Sequence, residues 1–203
     1  MMDEVEPCVS RDDGIDIVKL SEQDLLQSSY AEVLRLRVAI AMTRVNEFAD
    51  FNLDGYKIKQ HQTMVIFSRT SALNTEAWEQ AGRTLVKPLE EFHAERFLVD
   101  PDDSAENGEV KKETCKEDLS KKSKFSLDGL AGCWIPYGGG QRMCPGRHFA
   151  KNEILGTFAW LFSEYELELG DVDVSKVQPD LGWYPVGALP PVCKVPFRIR
   201  RRV

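Results

Sequence analysis

A mixed fold, mainly α with small β-sheets, is the class this sequence predicts, and three observations carry it. Leu25, Leu26, Val33, Leu34 and Leu36 recur at helix-like spacing. A second apolar stretch after Pro145-Gly146 sets Phe149, Leu155, Phe158, Ala159 and Phe162 on one helical side, read as core. Short runs rich in β-branched and aromatic residues, bounded by turn residues, fall between and after these stretches. With 203 residues and a 42% hydrophobic fraction, the chain can bury one core of useful size.

In chain order, residues up to Leu20 form a leading segment. Ser21-Glu22-Gln23-Asp24 then carries the mark of a helix start, with Ser as N-cap and an acid three residues on. Inside that helix Glu32-Val33-Leu34-Arg35 sets an acid and a base on one face. Alone, such a pair is a poor signal and most often decorates a solvated helix. Leu53-Asp54-Gly55-Tyr56-Lys57-Ile58 followed by Thr63-Met64-Val65-Ile66-Phe67 reads as a β-hairpin, and Ala77 to Lys87 has some helical character. Residues 100–124 run from acids to lysines without apolar periodicity, and read as a mobile charged insertion within a single domain. Tyr165 to Leu169 and Val192 to Ile199 suggest closing strands, and there is no internal repeat.

Composition excludes several roles. The net charge of −7 makes nucleic acid a poor partner. Five cysteines (Cys8, Cys115, Cys133, Cys144, Cys193) are odd in number and unpaired in spacing, so a disulfide framework is not expected. His61, His93 and His148 are too scattered to suggest a zinc site. No apolar run is long enough to span a membrane and no signal peptide is read.

The decisive segment is Pro136-Tyr137-Gly138-Gly139-Gly140-Gln141-Arg142-Met143-Cys144-Pro145-Gly146. A thiolate, not a thiol, is the metal ligand, and the start of a helix favours the anion through unpaired N–H groups and its dipole. Cys144 lies just before such a start, and Pro145 is acceptable at a first helical position. The three glycines lack a Cβ and let the backbone pass close under a planar group. The segment suits presentation of a thiolate to a flat metal cofactor; the other reading is a glycine-rich surface turn with a buried structural cysteine.

The same spacing resembles the haem-binding signature of the cytochrome P-450 family, F-x-x-G-x-R-x-C-x-G. Gly140, Arg142, Cys144 and Gly146 match it, with Tyr137 where Phe is usual and Ala150 at the small residue further on. Glu32-Val33-Leu34-Arg35 resembles the family's Glu-x-x-Arg helix, and Glu91-Phe92-His93-Ala94-Glu95-Arg96-Phe97 resembles its Pro-Glu-Arg-Phe segment, with Ala94 replacing Pro. The resemblance implies haem b as cofactor and Cys144 as axial ligand of its iron. It also implies Tyr137, Gly138 and Arg142 around the cofactor, and a structural triad of Glu32, Arg35 and Arg96. Arg44, in Val38 to Arg44, would grip a second propionate or stand on the surface. Val186 to Pro191 looks like the turn that enters the family's substrate pocket, and His148 is read as a surface or propionate-side residue.

Function follows as an expectation. The detailed wording is similar to fungal members near the sterol 7α-hydroxylase and prostacyclin-synthase branch. The implied activity is a haem-thiolate monooxygenase that takes electrons from an NADPH-dependent reductase and inserts one oxygen atom from O₂ into an apolar, sterol- or lipid-like substrate. The implied location of the full-length relative is the cytosolic face of the endoplasmic reticulum membrane. The resemblance covers only the C-terminal part of the family fold, so a truncated chain is expected, without the Ala-Gly-x-Asp/Glu-Thr helix that delivers protons and inactive by itself. The alternative is a non-catalytic or degenerate haem-binding remnant; a cysteine redox or metal protein unrelated to haem is more distant.

Overall fold

The computed structural model describes residues 1–10, 12–100 and 123–202. Its fold is the mixed one expected, short helices and small antiparallel sheets around one long buried helix. Helix α1 (Ile17–Ser21) leads into α2 (Asp24–Arg37), and strand β1 (Val38–Val45) continues from it without a break. A tight hairpin, β2 (Phe51–Leu53) and β3 (Tyr56–Ile58), turns through Asp54 and Gly55, both at positive φ (48° and 80°) as a two-residue hairpin of this kind requires. Strand β4 (Thr63–Phe67) and helices α3 (Ser68–Ala72) and α4 (Thr75–Gln80) follow. Strands β5 (Leu98–Val99) and β6 (Lys124–Phe125) pair with each other. Helix α5 (Arg147–Glu164) runs directly into β7 (Tyr165–Leu169), and β8 (Val186–Ala188) and β9 (Phe197–Arg201) complete the order.

Several elements differ from the sequence reading. Thr63–Phe67 is not the second arm of the Asp54-Gly55 hairpin. It pairs antiparallel with β1, Ala41 opposite Phe67 and Val45 opposite Thr63, while Phe51–Leu53 and Tyr56–Ile58 form the hairpin between themselves. Val186–Ala188, expected as a turn, pairs with the other edge of β1, so the three-stranded sheet has the order β8-β1-β4. The second closing strand falls at Phe197–Arg201, later than expected, opposite β7. Gly82 at φ 72° ends the Ala77 region, so only Thr75–Gln80 is helical. Of the charged stretch at 100–124, residues 101–122 lie outside the described residues, and Lys124 belongs to a strand.

Two apolar clusters meet on α2. Leu26, Tyr30 and Leu34 pack with Val5, Cys8, Leu20 and with Leu155 and Ala159 of α5. Ala31 packs with Trp78, Leu89, Phe97, Leu130 and Cys133. The apolar spacing overstated one position: Val33 is 47% exposed, and the helix instead buries Ser28, Ser29, Glu32 and Arg35. On α5, Leu155 and Ala159 are buried and Phe158 stacks on Phe162 at 4.5 Å, but Phe149 is 72% exposed. Six residues before Leu155, at about 100° per residue, Phe149 points away from the buried stripe.

Ser21 does not cap α2. It closes α1, its hydroxyl donating to the Val18 carbonyl at 2.9 Å. The cap comes instead from Glu4, whose carboxylate accepts the N–H groups of Leu25 and Leu26 at 3.2 and 2.9 Å. A carboxylate there satisfies two orphan donors and meets the positive end of the helix dipole. Glu4→Ala is expected to lower stability by about 1 kcal/mol, read as a shift in urea midpoint at unchanged slope; an unchanged midpoint would show that the cap contributes nothing.

Candidate functional site

The glycine loop is shaped by three backbone bonds. Gly138 N–H donates to Ile135 at 3.1 Å, Met143 N–H to Gly140 at 3.2 Å, and Cys144 N–H to Tyr137 at 3.0 Å. The loop therefore closes on itself from Tyr137 to Cys144, with Gly140–Arg142 as a single 3-10 turn. Gly138 and Gly140 sit at φ 80° and 70°, where a side chain is disfavoured. At Gly138 a Cβ would also come within 3.5 Å of Met42 Sδ on β1.

Cys144 ends the loop exposed, with Gly146 beside it, where a Cβ would make only ordinary contact with the sulfur at 3.9 Å. Helix α5 begins at Arg147 with Gly146 as N-cap, so Pro145 stands outside the helix and not at its first position. The Cys144 carbonyl accepts the Arg147 side chain at 3.1 Å. Cys8 and Cys133, by contrast, are buried, and burial pushes both thiols above their ordinary range, which leaves neither a ready thiolate. Cys193 is exposed, on a segment without the glycine loop. Cys115 lies outside the described residues.

Arg44 reaches the loop from β1, donating from Nη2 to the Gly139 carbonyl at 2.7 Å. Arg142 lies exposed on the 3-10 turn, and His148 lies exposed in the first turn of α5. Beside the loop is a cavity of about 530 Å³ lined among others by Phe125, Trp134, Tyr137, Met143, His148 and Lys151. One side of the loop thus faces open space instead of packed core, so its shape rests on hydrogen bonds. Burial holds the Lys151 ammonium below the ordinary lysine range; it donates to Gln27 Oε1 at 2.7 Å and to the Ser21 carbonyl at 3.2 Å, joining α5 to the start of α2.

The structure brings Glu32, Arg35 and Arg96 together. Arg35 is bidentate on Glu32 at 2.7 and 2.9 Å, and Arg96 Nε donates to the same carboxylate at 2.9 Å. The His93 backbone N–H adds a further donor at 3.0 Å. All three charged side chains are almost fully buried. Arg35 also donates to the Ala72 carbonyl at 3.2 Å and lies over the Trp78 ring at 5.7 Å, while Arg96 donates to the carbonyls of Lys87, Pro88 and Glu91. The sequence reading missed these backbone partners, and missed Tyr30, whose hydroxyl is hydrogen-bonded to that of Tyr137.

The exposed thiol, the open glycine backbone and the Arg44 cation make a donor set that fits a flat, anionic metal cofactor. The family model of cytochrome P450 matches residues 1–188. A cytochrome P450 monooxygenase of Humicola fuscoatra is 42% identical over 193 residues, 93% of this chain and 33% of that protein. Another, of Hormonema carpetanum, is 40% identical over 189 residues, 92% of this chain and 33% of that one. Prostacyclin synthase of Bos taurus is 29% identical over 189 residues, 90% and 33% respectively. The chain belongs to the cytochrome P450 family, and it spans about a third of the length of these relatives. No helix among the described residues is long and apolar enough to cross a membrane.

Two outcomes follow from the buried groups. Arg96→Met leaves the Glu32 charge short of a partner, and is expected to cost about 3–5 kcal/mol, read by urea denaturation; a change under about 1 kcal/mol would deny the cluster any structural weight. Burial and the neighbouring Tyr137 phenol raise the Tyr30 hydroxyl above its ordinary value of 10. A raised value means stability that is present below pH 10 and lost as pH climbs beyond it. Thermal melting above pH 10 is therefore expected to fall less steeply in Tyr30→Phe than in the wild type.

Proposed function

We propose that this chain is the cysteine-ligand portion of a haem-thiolate monooxygenase, with Cys144 as axial ligand of haem b iron. The observation that carries the reading is the exposed Cys144 at the end of a self-closed glycine loop, tied by Arg44 to β1. When bound, the haem would supply the iron that reacts with O₂ and inserts one oxygen atom into an apolar, sterol- or lipid-like substrate.

The protein's own residues divide the supporting tasks. Gly138 and Gly140 supply the positive-φ turns of the loop and leave it free of side chains beside the ligand. Arg142 and Arg44 supply the cations for the propionates, fixed planar groups that stay charged. Tyr137 sets an aromatic ring at the root of the loop. Glu32, Arg35 and Arg96 hold α2 to the segment around His93. The 203 residues form part of a single P450 domain. The whole enzyme would draw electrons from an NADPH-dependent reductase and work at the cytosolic face of the endoplasmic reticulum membrane. The 203 residues alone are expected not to turn over substrate, because they hold no Ala-Gly-x-Asp/Glu-Thr segment to deliver protons.

The test is the reduced carbon-monoxide difference spectrum of the purified chain reconstituted with haemin, beside Cys144→Ala. The expected result is a strongly red-shifted Soret band that disappears in the variant. A band of histidine or free-haem type in the wild type, or none, would overturn the assignment of Cys144.

A further inference from the structure

Two adjacent residues of α2 hold the root of the glycine loop. Tyr30 is buried, and its hydroxyl is bonded to the hydroxyl of Tyr137. Next to it, the Ala31 carbonyl accepts the indole N–H of Trp134 at 2.9 Å. Trp134 and Tyr137 stand edge to face at 6.4 Å and 79°. The Tyr137 carbonyl in turn accepts the Cys144 N–H, the bond that closes the loop. The side chain and the main chain of Tyr137 thus serve opposite ends of one tie, from α2 to the cysteine.

We propose that Tyr30 is a positioning residue for Cys144: its hydroxyl fixes Tyr137, and Tyr137 fixes the amide of the cysteine. Without Tyr30's oxygen, the hydroxyl of the half-buried Tyr137 loses this partner, and a polar group left unpaired away from bulk water is costly. The ring relieves the cost by turning toward water, and the carbonyl that holds Cys144 moves with it. The adjacent cavity of about 530 Å³ leaves room for that movement. Only the consequence for haem ligation rests on the function proposed above; the tie itself is a property of the chain without cofactor.

Amide hydrogen exchange over residues 136–146 of the full chain tests it. In Tyr30→Phe the Cys144 amide is expected to exchange about fivefold faster, the effect of losing one ordinary hydrogen bond, while the peptide holding Glu32 and Arg35 keeps its rate. Tyr137→Phe, which strands the other phenol, is expected to do the same. In the double variant, Tyr30→Phe with Tyr137→Phe, the same single bond is missing, so the rate is expected to match that of the singles and not to exceed it. An unchanged Cys144 rate in a folded single variant would overturn the proposal. So would a double variant in which the two accelerations multiply, since the two hydroxyls would then act independently. With haemin, the red-shifted carbon-monoxide band is expected to weaken in each single variant and to the same extent in the double. If the wild type itself gives no such band, the haem assignment falls and the exchange rates still decide the role of Tyr30.

Discussion

A single buried carboxylate organises this protein. Glu32 is fully removed from water, and an anion in that position is tolerated only when every lone pair has a donor. Its donors come from different parts of the chain: Arg35 one turn along the same helix, Arg96 from a distant segment, and the main chain at His93. The two guanidiniums also donate to the carbonyls of Ala72, Lys87, Pro88 and Glu91. An irregular stretch of backbone, with no strand or helix of its own from Ala81 to Phe97, thereby receives a defined path. Charge here substitutes for the ladder bonds that regular structure would supply.

The same helix divides and joins the two apolar clusters. Tyr30 and Leu34 face the side built with α5, and Ala31 faces the side built with Trp78 and Phe97. Trp134 packs against both clusters. The cysteine loop begins two residues after that tryptophan, so it leaves the body of the fold from its most constrained corner. An exposed ligand on a glycine loop needs this: the more open the sulfur, the more the geometry must come from behind it.

How much of this is legible in the residues depends on which atoms do the holding. Side chains at short spacing are readable: Glu32 and Arg35 are neighbours on any helix, and Cys144 stands out because glycines, proline and arginine surround it at fixed offsets. Arg96 is sixty-four residues from Glu32, and only resemblance to a family connects them. Backbone donors such as His93 N–H, and acceptors such as Ala31 O, have no letter in a sequence. Strand pairing failed for a related reason. Asp54-Gly55 marks a tight turn correctly, but only the three residues on each side belong to it. Nothing in Thr63–Phe67 says that its partner is β1, since β-propensity describes a surface and not a neighbour. Helix α2 hides its faces because it is buried nearly all round, which removes the contrast on which periodicity depends.

The order of synthesis gives the spacing of these contacts a further meaning. Helix α2 emerges before these partners, which arrive one at a time: Arg96 for Glu32, Phe125 for Asp24, then Trp134, Tyr137 and finally Lys151. Distant contacts reward the chain only after long loops have closed. Until then the growing polypeptide carries a helix with a carboxylate, two serines and several large apolar groups destined for the interior, all facing water. Such a nascent segment is a natural client for chaperones, which bind exposed apolar surface before a domain can close. The element that looks like the foundation of the mature fold is thus among the last to be completed as the protein is made.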